Sequence, residues 1–218
     1  MSRILQLLFF WLVVRPIVLV VIGLNVRHRE RLPSGGAGAG GPAIVVANHN
    51  SHLDTVVLMT LLPSRLLHRV RPVAAADYFL RNRVVAWFAR AIMGIIPIER
   101  RGREPGADPL AAVSQALDRG EIVILFPEGT RGEPERLAAF KSGVAHLARR
   151  NPHVPVIPVF MHGLGKTLPR GSRVPVPFFC DVFVGEALHG LEDHKAFMTD
   201  LTGRMQQLAG EGTFPVWQ

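Results

Sequence analysis

His49 and Asp54 stand five residues apart in the run Asn48-His49-Asn50-Ser51-His52-Leu53-Asp54-Thr55, which follows an apolar, strand-like segment at 43–47. An imidazole and a carboxylate placed where a buried strand would surface are the parts of a general base. An ionised Asp bonded to one ring nitrogen would fix the tautomer and raise the basicity of the other, which could then take a proton from a substrate hydroxyl. A second apolar run, 122–126, leads into Phe126-Pro127-Glu128-Gly129-Thr130-Arg131. Gly129 lets backbone approach an anion, Thr130 offers a hydroxyl and Arg131 can grip phosphate with two parallel bonds, with Glu128 placed to orient Arg131 or Arg100. The run is not a Walker loop, having too few glycines and no Gly-Lys-Ser/Thr. The two segments together point to a reaction at a hydroxyl on a phosphate-bearing substrate.

Each segment also admits a plainer reading. Five residues of regular helix turn through about 500°, leaving the two side chains roughly 140° apart. His49 and Asp54 can meet only if His49 lies in the turn before a helix and Asp54 in its first turn. Ser51-His52-Leu53-Asp54 has the capping-box form, with Ser51 at N-cap and Asp54 at N3, which allows this. It equally allows Asp54 merely to cap a helix beside a satisfied polar His49, and the residues alone leave both open. Ser51 is disfavoured as a nucleophile, because a capping serine aims its oxygen at backbone N–H groups. A zinc site at His49, His52 and Asp54 lacks a strong ligand spacing, and His146, His153 and His162 are scattered. The 126–131 run could be a surface turn with an ion pair, and Lys141 a second cation or a solvated helix charge.

The net charge of +8, mostly from arginine, favours anionic partners. Nucleic acid is disfavoured: there is no helix-turn-helix, zinc-finger or RNP pattern, and only one Tyr. The single cysteine, Cys180, excludes an intrachain disulfide and, in a strand-like run, reads as a buried thiol.

Residues 4–24 are apolar apart from Gln6, Arg15 and Pro16. As one helix they would span roughly 30 Å, about a hydrocarbon core. Arg15 at the centre costs about 2.5–3.5 kcal/mol on insertion scales, and Pro16 would kink the helix. Two short arms dipping into one leaflet therefore compete with a true span. A signal peptide is disfavoured, since no small-x-small site follows the run. The basic residues of 25–31 favour the cytoplasmic side and contact with anionic lipid. The expected organisation is a membrane anchor with its basic segment at 1–31, a Gly-rich tether at 32–42 and one domain at 43–218.

Within that domain, strands are expected at 43–47, 122–126, 154–161 and 179–184. Helices are expected at 54–62, 76–93, 108–119, 137–150 and 191–208, with a loop at 168–177. This alternation predicts an α/β fold with a mixed, largely parallel central sheet flanked by helices.

Four segments in order resemble the 1-acylglycerol-3-phosphate acyltransferase family of membrane glycerolipid acyltransferases. The family's His-x4-Asp block is similar to 48–54, its Gly-x-Ile-Pro-x-x-Arg block to 94–100, its Phe-Pro-Glu-Gly-Thr-Arg block to 126–131 and its Val-Pro-Val-Ile-Pro-Val block to 154–159. The resemblance covers residues 43–188 and departs at Gly132, where the family often carries Ser. It implies that His49 is the general base and Asp54 its orienting partner. The sn-2 hydroxyl of a lysophosphatidate would attack the thioester of acyl-CoA or acyl-carrier protein and give phosphatidic acid. Arg100, Gly129, Thr130 and Arg131 would bind the acceptor phosphate, with Glu128 supporting them, and the 154–159 strand would pack near the acyl chain or the core. No cofactor beyond the donor and no metal is expected, and a phospholipid membrane is the expected setting, at the cytoplasmic face of the inner or plasma membrane. The alternatives are another lysolipid acceptor, a membrane-bound metal-dependent hydrolase or a lipid-binding module without turnover.

Overall fold

The computed structural model describes residues 2–34, 40–51, 53–79, 82–99, 108–129, 137–167, 178–212 and 214 of the chain. Among the described residues seven strands form one sheet: β1 (Ile22–Arg27), β2 (Ala43–Ala47), β3 (Val70–Ala75), β4 (Ile96–Ile98), β5 (Ile122–Leu125), β6 (Val156–His162) and β7 (Phe178–Val184). Their order is β1-β7-β6-β2-β5-β3-β4. The β6–β7 pair is antiparallel and every other pair is parallel. The expected mixed, largely parallel sheet is therefore the observed one.

β2 lies between β5 and β6, and all five of its residues are buried. A strand covered on both faces needs an unbroken apolar run, which is how 43–47 reads. Its alternation feeds two cores. Ala43, Val45 and Ala47 face a cluster with Ile157, Val159, Met161, Cys180 and Val182. That cluster is covered by α1 (Ser2–Phe9), α2 (Arg15–Val21), α3 (Leu53–Leu61) and α5 (Arg83–Ala91). Ile44 and Val46 face the second cluster, under α6 (Ala111–Asp118), α7 (Gly143–Arg150) and α9 (His194–Gly210). Two one-turn helices, α4 (Ala76–Phe79) and α8 (Leu164–Thr167), complete the set.

The N-terminal segment departs from expectation in three ways. First, α1 passes through a π-helical turn, Phe10–Val14, straight into α2, with Pro16 at the start of α2. Proline lacks the N–H that the first turn of a helix leaves unpaired, and a π turn just before it accommodates the ring. Arg15 lies outward over the Trp11 ring, 4.2 Å from its centroid. Second, the helix stops at Val21, and residues 22–27 form β1 beside β7, with Ile22 opposite Phe178 and Arg27 opposite Phe183. The boundary drawn at residue 31 thus cuts through the domain: the apolar residues of β1 merge in sequence with the helix, which hid the strand. No helix among the described residues is long and apolar enough to cross a membrane. Third, two arginines of the basic segment are bonded to the domain. Arg29 donates from Nε and Nη2 to the Leu61 carbonyl at 3.2 and 3.0 Å, and Arg31 donates to the Val184 carbonyl at 2.9 Å. In the tether, Leu32 and Pro33 are buried and residues 35–39 lie outside the described residues.

Other boundaries moved for local reasons. The long helix expected at 76–93 is α4 and α5, because Asn82 caps α5 by accepting from the Val84 N–H at 2.8 Å. The expected 137–150 helix begins at Gly143, since the Lys141 N–H is committed to the Pro127 carbonyl at 2.9 Å. Likewise α6 starts at Ala111, after a turn in which Asp108 accepts from the Leu110 N–H at 3.0 Å. β3 and β4 had no clear signal: Arg71 and Pro72 interrupt one and the other has three residues. The expected loop 168–177 lies outside the described residues.

The C-terminal ends of β2 and β6 are joined by side chain. Asn48, fully buried, donates from Nδ2 to the Met161 carbonyl at 2.8 Å and accepts from the Met161 N–H at 2.7 Å. It mimics one more ladder pair after β2 has ended. Asn48→Ala should strand that buried N–H and lower stability by about 1–3 kcal/mol. In urea unfolding this is a lower midpoint at unchanged slope; an unshifted midpoint would show that the pair holds nothing.

Candidate active site

β2 and β5 are parallel neighbours, so the segments that follow them emerge at the same edge of the sheet. Open α/β sheets place their ligands there, beyond the carboxyl ends of the strands. The chain leaves β2 through Asn48 and His49 and enters α3 at Leu53, with Asp54 in its first turn. His49 therefore sits in the turn before the helix, which is the arrangement the spacing required.

Asp54 is fully buried, and its Oδ2 accepts three hydrogen bonds: from His49 Nδ1 at 2.9 Å, Asn50 N at 2.6 Å and Ser51 N at 2.8 Å. Both readings of Asp54 thus hold together, since one oxygen caps the helix and orients the imidazole. The carboxylate also faces a helix N-terminus, where negative charge is favoured. Burial pushes its carboxyl above the ordinary carboxylate range, and the bonds from His49, Ser51 and Asn50 pull it back. Because a carboxylate only accepts, Nδ1 carries the proton, and Nε2 is left with its lone pair and no partner among the described residues. The Phe126 ring stacks on the imidazole at 4.3 Å between centroids and 24° between planes, covering one face of the ring. The His49 side chain keeps 21% of its surface exposed, so the basic nitrogen is reachable.

Ser51 is buried, and its Oγ accepts from the Leu53 N–H at 3.3 Å. It is engaged as the cap anticipated, though at N2 rather than N3.

The second segment turns tightly. The Gly129 N–H donates to the Phe126 carbonyl at 3.0 Å, and Gly129 has φ of +73°. Pro127 presets the first corner of this turn and glycine tolerates the left-handed exit. A Cβ on residue 129 would fall 2.5 Å from Lys141 Nζ, so the ammonium of Lys141 lies over the bare Gly129 backbone. Lys141 is thus a cation of this turn, not a charge on α7.

Glu128 does something the sequence did not suggest. Its buried side chain points at the first segment, where Oε1 accepts from the His49 backbone N–H at 3.3 Å. Burial raises its carboxyl to about 7, with the His49 hydrogen bond opposing the shift. Arg100, Thr130 and Arg131, together with His52, lie outside the described residues, so the phosphate-gripping part of the expectation rests on sequence. Of the expected residues, the structure brings together His49, Asp54, Glu128 and Gly129. Sequence reasoning missed the supporting roles of Asn48, Asn50 and Phe126. Asn50 donates to the Met161 carbonyl at 3.1 Å, as Asn48 does. Two asparagines flanking a histidine just after a buried strand was the signal available, but their shared partner is 111 and 113 residues away.

A strand-end His–Asp pair thus sits beside a glycine turn at the carboxyl edge of a mixed, largely parallel sheet. The family model described as Acyltransferase matches residues 23–162, and the chain belongs to that family. It is 33% identical over 150 residues to a chloroplastic 1-acyl-sn-glycerol-3-phosphate acyltransferase of Arabidopsis thaliana, covering 69% of this chain and 39% of the relative. It is 34% identical over 123 residues to the alpha form of 1-acyl-sn-glycerol-3-phosphate acyltransferase of Mus musculus, covering 55% and 40%. The chain therefore spans about two fifths of the length of these curated relatives. The crystal structure of the 1-acyl-sn-glycerophosphate acyltransferase PlsC of Thermotoga maritima has the same fold, with a TM-score of 0.72 at 20% identity over 96% of this chain and 79% of that one.

The raised Glu128 carboxyl sets a pH dependence. An acid raised by folding holds its proton more tightly in the native state than in the unfolded chain. Its stabilising contribution is therefore full below pH 4.5 and is lost as pH rises through about 7. Asp54, also raised, adds slope of the same sign, so the informative quantity is the difference between proteins. Glu128→Gln keeps a hydrogen-bond acceptor for the His49 N–H but does not titrate. Its urea midpoint should fall less than that of the wild type between pH about 5 and about 7; parallel profiles would refute the raised carboxyl.

Proposed function

We propose that this protein transfers a fatty acyl group from a thioester donor, acyl-CoA or acyl-carrier protein, to the sn-2 hydroxyl of 1-acyl-glycerol-3-phosphate. The product is phosphatidic acid. The observation that carries the reading is the His49–Asp54 pair, with Nδ1 bonded at 2.9 Å and Nε2 open. Nε2 takes the hydroxyl proton as the oxygen attacks the thioester carbonyl, and the tetrahedral intermediate collapses with loss of the thiolate, which recovers a proton from the imidazolium. Asp54 stabilises the imidazolium without itself accepting the proton. No covalent enzyme intermediate is needed, which agrees with the engaged hydroxyl of Ser51. The names of the relatives support the acceptor, and so does the cationic character of the turn after β5, where Lys141 Nζ lies over Gly129 and Arg131 follows in sequence. No cofactor is required beyond the donor.

The reading also places the protein on a bilayer at its cytoplasmic face. Ile4, Leu8, Trp11 and Leu12 are about half to nearly three-quarters exposed on the N-terminal helix, and so are Val84 and Trp87 on α5. Phe9 packs edge-on against Phe88 at 5.1 Å, so the two exposed faces adjoin. An apolar surface of this kind lies in the lipid interface and does not need to span it.

Purified protein in detergent should acylate lysophosphatidate in preference to lysophosphatidylglycerol and a phosphorus-free lysolipid. His49→Ala should lower kcat by about 10²–10⁴ while acceptor affinity stays within a few-fold. Turnover unchanged in His49→Ala would sink the mechanism; turnover on a different acceptor would move the substrate and keep the chemistry. Replacing Leu8 and Leu12 together by Glu, at exposed positions, should release the protein from phospholipid vesicles in a flotation assay with its thermal unfolding intact. Undiminished flotation would assign membrane contact to another surface.

A further inference from the structure

The far edge of the sheet carries a second feature. A cavity of about 340 Å³ opens where β3 and β4 begin, at the end opposite His49. Arg3 and Gln6 reach it from α1, His68 from the 3-10 turn Ser64–Arg69, Arg71 from β3 and Arg90 from α5, with Gly94 in the wall. Among the described residues no acidic side chain lines it. Glu121 binds Arg71 Nη2 at 2.6 Å from outside the lining, but shares its carboxylate with Arg119 at 3.0 Å. Arg3 and Arg90 have no carboxylate partner among the described residues.

Two details fit a cavity prepared for an anion. Gly94 has φ of +67°, and a Cβ there would come 2.8 Å from Arg71 Nη1, so the bare glycine leaves room for the guanidinium along the wall. The His68 Nδ1 atom is buried and has no hydrogen-bond partner among the described residues. Burial first, then the charge of Arg3 and more weakly those of Arg69 and Arg71, holds this imidazole below its ordinary range against an opposing backbone hydrogen bond at Arg65. Concave surfaces lined by one sign of charge focus the field and concentrate counter-ions, and guanidinium groups match phosphate oxygens in pairs. The volume is at the lower end for small-molecule sites, suited to a phosphate headgroup and short of an acyl chain. Its rim meets apolar surface: Arg3 precedes the exposed Ile4, and Trp87 stands one helical turn before Arg90.

We propose that this cavity is a second anion site, remote from the catalytic pair, that holds the phosphate of a phosphoester ligand through Arg3, Arg71 and Arg90. The phosphate could come from an anionic bilayer lipid whose chains lie along the adjoining apolar face, or from a free phosphate ester. Calorimetric titration of the full chain in neutral detergent distinguishes the sources. The probes are inorganic phosphate and short-chain phosphatidylglycerol, titrated into Arg131→Ala protein so that the receiver assigned to the catalytic end does not contribute. In that background Arg90→Gln should weaken the bound probe by about tenfold or more, as for a lost charged hydrogen bond. Arg3→Gln combined with Arg90→Gln should remove saturable binding. Arg3 and Arg90 are both exposed, so thermal unfolding should match the parent, and Arg90→Gln should leave turnover of a detergent-dispersed acceptor unchanged. Tighter binding of phosphatidylglycerol than of phosphate assigns the site to lipid, and equal affinity assigns it to the free anion. Equal binding by the parent and the double variant, or no saturable binding of either probe, overturns the proposal. The readout is binding, so it stands whether or not acyl transfer is found.

Discussion

One oxygen atom organises the catalytic end. Asp54 Oδ2 gathers the His49 imidazole and the N–H groups of Asn50 and Ser51 into a single buried acceptor. Removing a carboxylate from water is expensive, and here the compensation is concentrated on Oδ2, through its three hydrogen bonds and the helix N-terminus, while the buried Oδ1 has no hydrogen-bond partner among the described residues. Those donors are the residues that link β2 to α3. The path of the chain at the strand end and the tautomer of the histidine are thus fixed by one group. A base tethered only by its own backbone would have lost that coupling.

The second layer of constraint comes from across the sheet. Glu128 reaches from the end of β5 to the His49 N–H, Phe126 stacks on the imidazole, and Asn48 and Asn50 bind Met161 at the end of β6. Three neighbouring strands therefore converge on a five-residue stretch of loop. Glu128 and Asp54 are both buried acids close to His49, and the charge of Asp54 adds to the cost of ionising Glu128. A proton held near neutrality on Glu128 would relieve that repulsion while the imidazole is neutral, and its loss would favour an imidazolium.

Much of this was readable from the residues because it depends on local patterns. The run at 43–47 needed only its composition to read as a buried strand, and Ser51 to Asp54 carried both a capping signature and the one geometry in which His49 and Asp54 could meet. What stayed hidden was set at long range. β1 was indistinguishable from the tail of an apolar helix, because its partner β7 lies more than 150 residues away and nothing local distinguishes the two. β3 was masked by Arg71 and Pro72, whose places depend on Glu121 and on pairing with β5. Glu128 looked like an arginine partner because arginines adjoin it in sequence, whereas its described partner is a backbone group on another loop. The glycine at 94 belongs to a block read as substrate-binding, yet its bare Cα faces Arg71 at the opposite edge of the sheet.

The direct passage from α2 into β1 has a mechanical consequence. Val21 ends the helix and Ile22 begins a strand paired along its full length with β7, so no hinge separates the apolar helix from the sheet. A flexible tether would let a catalytic domain sample many heights and tilts above a surface. Here no linker intervenes, and the pairing of β1 with β7 ties the end of the helix to the sheet that carries His49. An apolar helix resting on a surface would therefore set the height of the sheet above it, with no tether to take up the difference.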